Sequence, residues 1–191
     1  TKEYVIFSAH WDHLGKHPEL QGDHIFNGAV DNASGVAAVI SLGRAFTKLN
    51  PLPKRTLLFL ATTAEEAGLL GAKYYAMHPL YPLEKTLADI NIDSMNVWGK
   101  ARDIEDTSFG MSTLDDALAR VAQVEGRTEF DLHDYHQVSD EVKPDWDLSG
   151  AVQDAQLLFV VGDEVANGDK FPQWKAGNEF KPKRDAMMRK P

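Results

Sequence analysis

The sequence predicts an α/β fold, a three-layer α/β/α sandwich around a mainly parallel mixed central sheet. Two observations carry this reading. The runs YVIFSA and TLLFL are apolar nearly throughout, as strands covered on both faces are. Between and after them lie segments whose apolar residues recur at three- and four-residue steps, the pattern of amphipathic helices packed on such a sheet. A length of 191 residues suits one domain that can bury roughly two thirds of its extended-chain surface, with no metal or disulfide needed merely to hold it together.

The elements follow in order. Tyr4 to Ala9 is a short strand. Gly15 to Gly28 is polar and glycine-containing and reads as a loop. From Gly35 to Leu49 the positions Val36, Val39, Ile40, Gly43 and Phe46 keep helical spacing, and Pro51 and Pro53 bound the far side. Thr56 to Leu60 is a compact apolar strand, Leu69 to Met77 a further helix before HPLYP, and Thr86 to Asp93 a strand with Ile90 and Ile92 on one face. Ser112 followed by Asp115 resembles a capping box opening a helix through Leu114, Leu118 and Val121. A last long helix carries Leu148, Ala151, Ala155, Leu158, Gly162 and Val165 as one apolar stripe against the body.

Composition removes several function classes. Cysteine is absent, which excludes disulfides, thiolate zinc sites, iron–sulfur clusters and cysteine nucleophiles. With 20 Lys plus Arg against 29 Asp plus Glu, the formal charge is -9, so a nucleic-acid partner is not expected. No apolar run approaches the roughly 18 residues of a membrane span, so no membrane partner is expected either. The one basic stretch, KPKRDAMMRK from Lys181 to Lys190, reads as a solvated end. The chain has no initiator Met and no signal-like segment, as a processed or excised segment would look.

In parallel sheets the ligand crevice lies beyond the C-terminal strand ends. There the sequence places His10 and Asp12 after the first strand, Glu65 and Glu66 after the second, and Asp93 after the third. Asp31 and Asn32 stand just ahead of the first long helix. Each has a plain reading alone: a polar strand end, a helix cap by Asp31, Asn32 or Ser34, an acidic first turn, a turn aspartate. Together they gather carboxylates and imidazole at one sheet edge, where repulsion is costly unless cations compensate. Catalytic zinc without thiolates takes His and carboxylate ligands, and a pair of ions about 3.5 to 4 Å apart needs a bridging carboxylate and a base for the water. In the His10-x-Asp12 pair the carboxylate can hold the ring by its other nitrogen. Nucleotide binding at DNASGVAAVISLG is set aside, because the segment lacks G-x-G-x-x-G and the P-loop lysine, and Asp31 would repel phosphate.

The series SAHWDHLG, GAVDNASG, TTAEEAGLLGAKYY, NIDSMN and DYHQVSDE closely resembles the dizinc aminopeptidases of peptidase family M28, whose relatives include glutamate carboxypeptidases and glutaminyl cyclases. The likeness covers most of Thr1 to about Asp169. It implies a phosphorylase/hydrolase-like fold, two zinc ions, a peptide or aminoacyl substrate, and a secreted or periplasmic setting. It implies His10 as a zinc ligand oriented by Asp12, Asp31 as the bridge, Glu65 as general base, Glu66 and Asp93 as ligands on opposite ions, and His136 as the last histidine. His136 is preferred to His133 because Tyr135-His136 followed by Ser139-Asp140 resembles the family's final motif. His13, His17, His24 and His78 are read as surface residues, with His13 near enough to stand behind a ligand. In that family the peptide after the bridging aspartate is commonly cis, here Asp31-Asn32. Trp11 and Trp98 are read as core residues in preference to a specificity pocket.

The resemblance also divides the chain into a catalytic domain over 1–170 and a C-terminal tail over 171–191. Between the helix ending near Gly126 and Tyr135, family members carry a much longer stretch with an SDH loop and a further strand, and polypeptide ahead of the first strand. A substrate-binding wall is therefore expected to be missing. Glutaminyl cyclase-like or carboxypeptidase-like activity and an inactive metal-binding remnant are the alternatives to aminopeptidase action.

Overall fold

The structure is a computed structural model that describes residues 2–102, 104, 106–119 and 134–189. Among the described residues, three parallel strands form the central sheet in the order β4-β1-β5, with β1 (Tyr4–His10) between β4 (Thr56–Thr62) and β5 (Thr86–Asn91). Tyr4 is paired with Thr56 and with Thr86, and His10 with Thr62. All three strands therefore end at one edge, the edge to which the sequence assigned the polar residues.

Val5, Phe7 and Ala9 point to one face of β1 and are fully buried there, in keeping with the two-residue period of a strand. Helices α1 (Gly35–Phe46) and α4 (Ser149–Asn167) cover that face. Its centre is aromatic: Phe7 stacks on Phe59 at 5.5 Å, and Phe46 stacks on Phe159 at 4.3 Å. The opposite face of β1 is more polar, with the Ser8 hydroxyl donating to Asp89 at 2.7 Å and reaching Asn91 at 3.0 Å. Tyr75 of helix α2 (Leu70–Met77) comes near it: burial first, then the charge of Asp89, raises the Tyr75 phenol pKa. The three layers are those the sequence predicts.

Boundaries and faces differ in places. Helix α1 stops at Phe46 rather than Leu49 because the chain tightens into short turns, Lys48 donating to Ala45 and Leu49 to Phe46. The loop after β1 contains a small antiparallel ribbon, β2 (Gly15–Lys16) with β3 (Ile25–Phe26). Ser112 and Asp115 do cap α3 (Leu114–Ala119) reciprocally: the Ser112 amide donates to the Asp115 carboxylate at 2.8 Å, and the Leu114 amide to the Ser112 hydroxyl at 3.0 Å. Val121, the expected continuation, lies outside the described residues.

On α4 the buried face is Gly150, Leu157, Val161, Gly162, Val165 and Ala166. The predicted stripe is thus rotated: Leu148 is exposed, and Ala151, Ala155 and Leu158 flank the contact. At Gly162, common to both faces, Phe7 occupies the space a Cβ would take. The basic end is not simply solvated either. It forms α5 (Lys181–Met188), and the half-buried Arg184 guanidinium donates to the carbonyls of Leu83 and Thr86 at 2.7 and 2.8 Å.

Candidate metal centre

The C-terminal end of β1 delivers His10, whose alternation places it fully inside. Its Nδ1 stands 2.9 Å from the Asp12 backbone carbonyl. A carbonyl only accepts, so Nδ1 carries the proton and the Nε2 lone pair is free in the neutral tautomer. Nε2 lies 3.0 Å from Asp31 Oδ1 and 3.2 Å from Asp93 Oδ1. Burial by itself lowers the His10 pKa, yet the Asp31 and Asp93 carboxylates raise it to about 11. The field at this point therefore strongly favours a positive charge.

The expected role of the Asp12 carboxylate changes here. It sits 3.8 Å from His10 Nδ1, beyond a hydrogen bond, and instead accepts the backbone N–H of Glu65 at 3.0 and 3.3 Å. Asp12 thus holds His10 through its main chain and Glu65 through its side chain. Glu65 has its pKa raised, first by desolvation, against a lowering by His10, with Asp93, Glu66 and Asp31 adding to the rise.

A second cluster adjoins the first through Asp31. His136 Nε2 lies 3.3 Å from Asp31 Oδ2 and 3.1 Å from Glu66 Oε2. The rings of Tyr135 and His136 stack at 4.0 Å, and burial followed by the charges of Asp31, Asp93, Glu66 and Glu65 pushes the Tyr135 phenol up to about 12. Asp31 thus offers one carboxylate oxygen to each cluster.

The backbone around Asp31 is fixed by two other side chains. Buried Asp140 accepts the N–H of Val30 at 2.8 Å and of Asp31 at 3.0 Å with its two carboxylate oxygens, and its own carbonyl takes the N–H of Ala29 at 3.1 Å. Burial raises the Asp140 pKa and these two carboxylate bonds oppose the rise. Asn32 accepts from Gly35 and Ser94 and donates to Ile92 at 2.9 Å, tying the Asp31 turn to the end of β5. The Asp31-Asn32 peptide is cis, as the resemblance implies. Ala64, Ser94 and His136, each at or beside a candidate site residue, have positive φ. Non-glycine residues held in that region cluster at functional sites.

Every residue assigned from the sequence is therefore at this edge: His10, Asp12, Asp31, Glu65, Glu66, Asp93 and His136. His133 lies outside the described residues. Sequence reasoning misplaced His13. Its side chain is only 6 % exposed, and its Nδ1 is 2.7 Å from Glu66 Oε1 and 3.9 Å from Asp31 Oδ2. The cue was the density of HWDH; alternation stops predicting direction once the strand has ended. The tryptophans depart from expectation as well, Trp11 being 67 % and Trp98 50 % exposed. Trp11, between His10 and Asp12, stands at the rim of the site.

The donor sets fit divalent cations. His10, Asp31 and Asp93 form one group, and His13, Asp31 and Glu66 another, the ligand atoms of each lying within 4.8 Å of one another. Nitrogen and carboxylate oxygen in this mixture suit zinc. His13 Nδ1 and Nε2 and Glu66 Oε1 are buried without a hydrogen-bond partner, the condition a cation would relieve.

Comparison with known proteins agrees with this geometry. A probable zinc metalloprotease of Pyrenophora tritici-repentis is 40% identical over 91 residues, which are 47% of this chain and 20% of that protein. A vacuolar membrane protease of Coccidioides posadasii is 32% identical over 118 residues, 54% of this chain and 12% of that protein. The crystal structure of the Legionella pneumophila LapA aminopeptidase superposes with a TM-score of 0.66 at 18% sequence identity, over 88% of this chain and 51% of that one. The chain thus spans about a fifth or less of these two curated relatives and about half of LapA. The description Peptidase family M28 matches residues 1–133, and on that match, with the fold and the paired clusters, the chain belongs to peptidase family M28.

Proposed function

We propose that the chain acts as a zinc-dependent aminopeptidase, hydrolysing the amide that follows an N-terminal residue. The observation that supports this most is the sharing of Asp31 between two ligand clusters with Glu65 beside them. On this reading His10, Asp31 and Asp93 hold one ion, and Asp31, Glu66 and His136 the other. Bound there, the two ions supply the charge that polarises a substrate carbonyl and makes water acidic near neutral pH.

The chain's own groups do the rest. Glu65, fixed at its amide by Asp12, takes a proton from the attacking water and passes it to the departing amine as the C–N bond breaks. Desolvation raises its pKa, and a base that must also act as an acid works best when its pKa is nearer neutrality than an ordinary carboxylate's. The Tyr135 phenol stays protonated and can donate toward the negative charge that develops on the carbonyl oxygen. The catalytic unit is assigned to 1–170, with 171–191 as a tail that packs back on it.

The test is hydrolysis of a panel of aminoacyl anilides before and after chelation, together with metal analysis. Glu65→Gln should keep two equivalents of zinc and lose roughly 10²- to 10⁴-fold in kcat. Unchanged turnover sinks the base assignment. A requirement for a free C-terminal carboxylate redirects the reading to a carboxypeptidase, cyclisation of N-terminal glutamine with one metal redirects it to a cyclase, and bound zinc without turnover leaves a metal-binding remnant.

A further inference from the structure

His13 is a buried imidazole left idle by the ligand set implied above. Its ring lies beside His136, the centroids 5.7 Å apart and edge to face. Both approach the same carboxylate: His136 Nε2 is 3.1 Å from Glu66 Oε2, and His13 Nδ1 is 2.7 Å from Glu66 Oε1. The His13 contact is short, but no ring N–H lies in line with the oxygen. Both His13 nitrogens and Glu66 Oε1 therefore stay unsatisfied in the interior, a costly state for buried polar groups.

The fold makes room for this arrangement. Gly28 has φ of +63, and a Cβ there would meet the His13 ring at 2.7 Å. The ring can therefore stand against the Gly28 backbone, and a side chain at 28 would push it off Glu66. A histidine that only filled space would not need its Nδ1 turned toward Asp31 and Glu66. One meant only to orient Glu66 would have its N–H on the oxygen.

We propose that His13 is a direct fourth ligand of the Asp31, Glu66 and His136 cation position, making that position a two-histidine, two-carboxylate site. This rests on the dizinc reading and deepens it. The two positions then differ in kind. One is closed by four side chains. The other has three, His10, Asp31 and Asp93, and Asp93 is 51 % exposed, leaving room for solvent or substrate. Four protein ligands describe structural zinc and three a catalytic ion with an open place. The four-ligand position is then the one that fills first.

Calorimetric titration of the metal-free full chain with zinc chloride tests this. Wild type should show two binding steps. His13→Ala should weaken the tighter step at least tenfold and leave the other within twofold, while His17→Ala, on the same loop, changes neither. Two steps in wild type with neither altered by His13→Ala overturn the proposal and leave the dizinc reading standing; absence of zinc binding to wild type overturns both. Because His13→Ala can fail to fold, X-ray absorption of wild type loaded with one equivalent of zinc gives an independent answer. Two imidazoles per zinc are expected, and one overturns the assignment.

Discussion

Asp31 and Asp89 are both acidic, but Asp31 is buried whereas Asp89 stands on the exposed side of β5, and they differ in what surrounds them. Asp31 faces His10 at 3.0 Å and His136 at 3.3 Å through separate oxygens, so its charge is used twice. Asp31→Asn should weaken both zinc steps together by at least tenfold, whereas Asp93→Asn should weaken only one; a titration with zinc separates these outcomes. Desolvation raises the Asp89 pKa, and the hydrogen bond from the Ser8 hydroxyl opposes the rise. A carboxyl with a higher pKa folded than unfolded binds its proton more readily in the folded state. Stability is then lost as pH rises from the ordinary aspartate value through the raised one. At pH 7 the ionised Asp89 is a cost, reduced by the residue's exposure to solvent. Asp89→Asn keeps an acceptor for Ser8 and should raise Tm at pH 7 by about 2 to 4 °C per kcal/mol recovered, a gain that narrows as pH falls toward the ordinary value. Melts at two pH values check it.

Among the elements, β1 and α4 meet at a close approach. Phe7 reaches into the space above Gly162, and the buried residues of α4 are arranged around that contact. Gly162→Ala should cost about 1 to 3 kcal/mol by overpacking, in spite of the better helix propensity of alanine, and should appear as a lowered Tm. This contact also shows where sequence reading stops. Strands β1, β4 and β5 and helices α1 and α4 were legible because their apolar pattern is set by packing within the layers, and α2 because HPLYP marks where it must stop. The rotation of α4 was not, since it depends on partners that other elements supply. Ribbon β2-β3 was not legible either: two residues per strand carry no periodicity. Arg184 read as part of a solvated charge run, though two carbonyls hold it.

At the scale of the whole molecule the formal charge is -9, and a concentrated share of the acidic groups meets at one edge. A ligand that binds only the folded chain adds RT ln(1 + [L]/Kd), about 2.7 kcal/mol at a hundredfold excess over Kd. Zinc should therefore raise Tm and a chelator reverse it, with the shift growing with zinc concentration; a Tm indifferent to zinc contradicts the site. The ligand segments were legible because rigid strand ends bring them to one edge. His13 and the role of Asp140 were not, because both act in irregular backbone whose course only the folded chain defines.

Asp140 follows His136 by four positions on the same short turn, and it seats that turn on the amides of Val30 and Asp31. The last histidine is thus located by a nearby anchor, and its address does not depend on how much polypeptide was spooled out before Tyr135. Change in the length of that connection then leaves the imidazole in register with the bridging carboxylate.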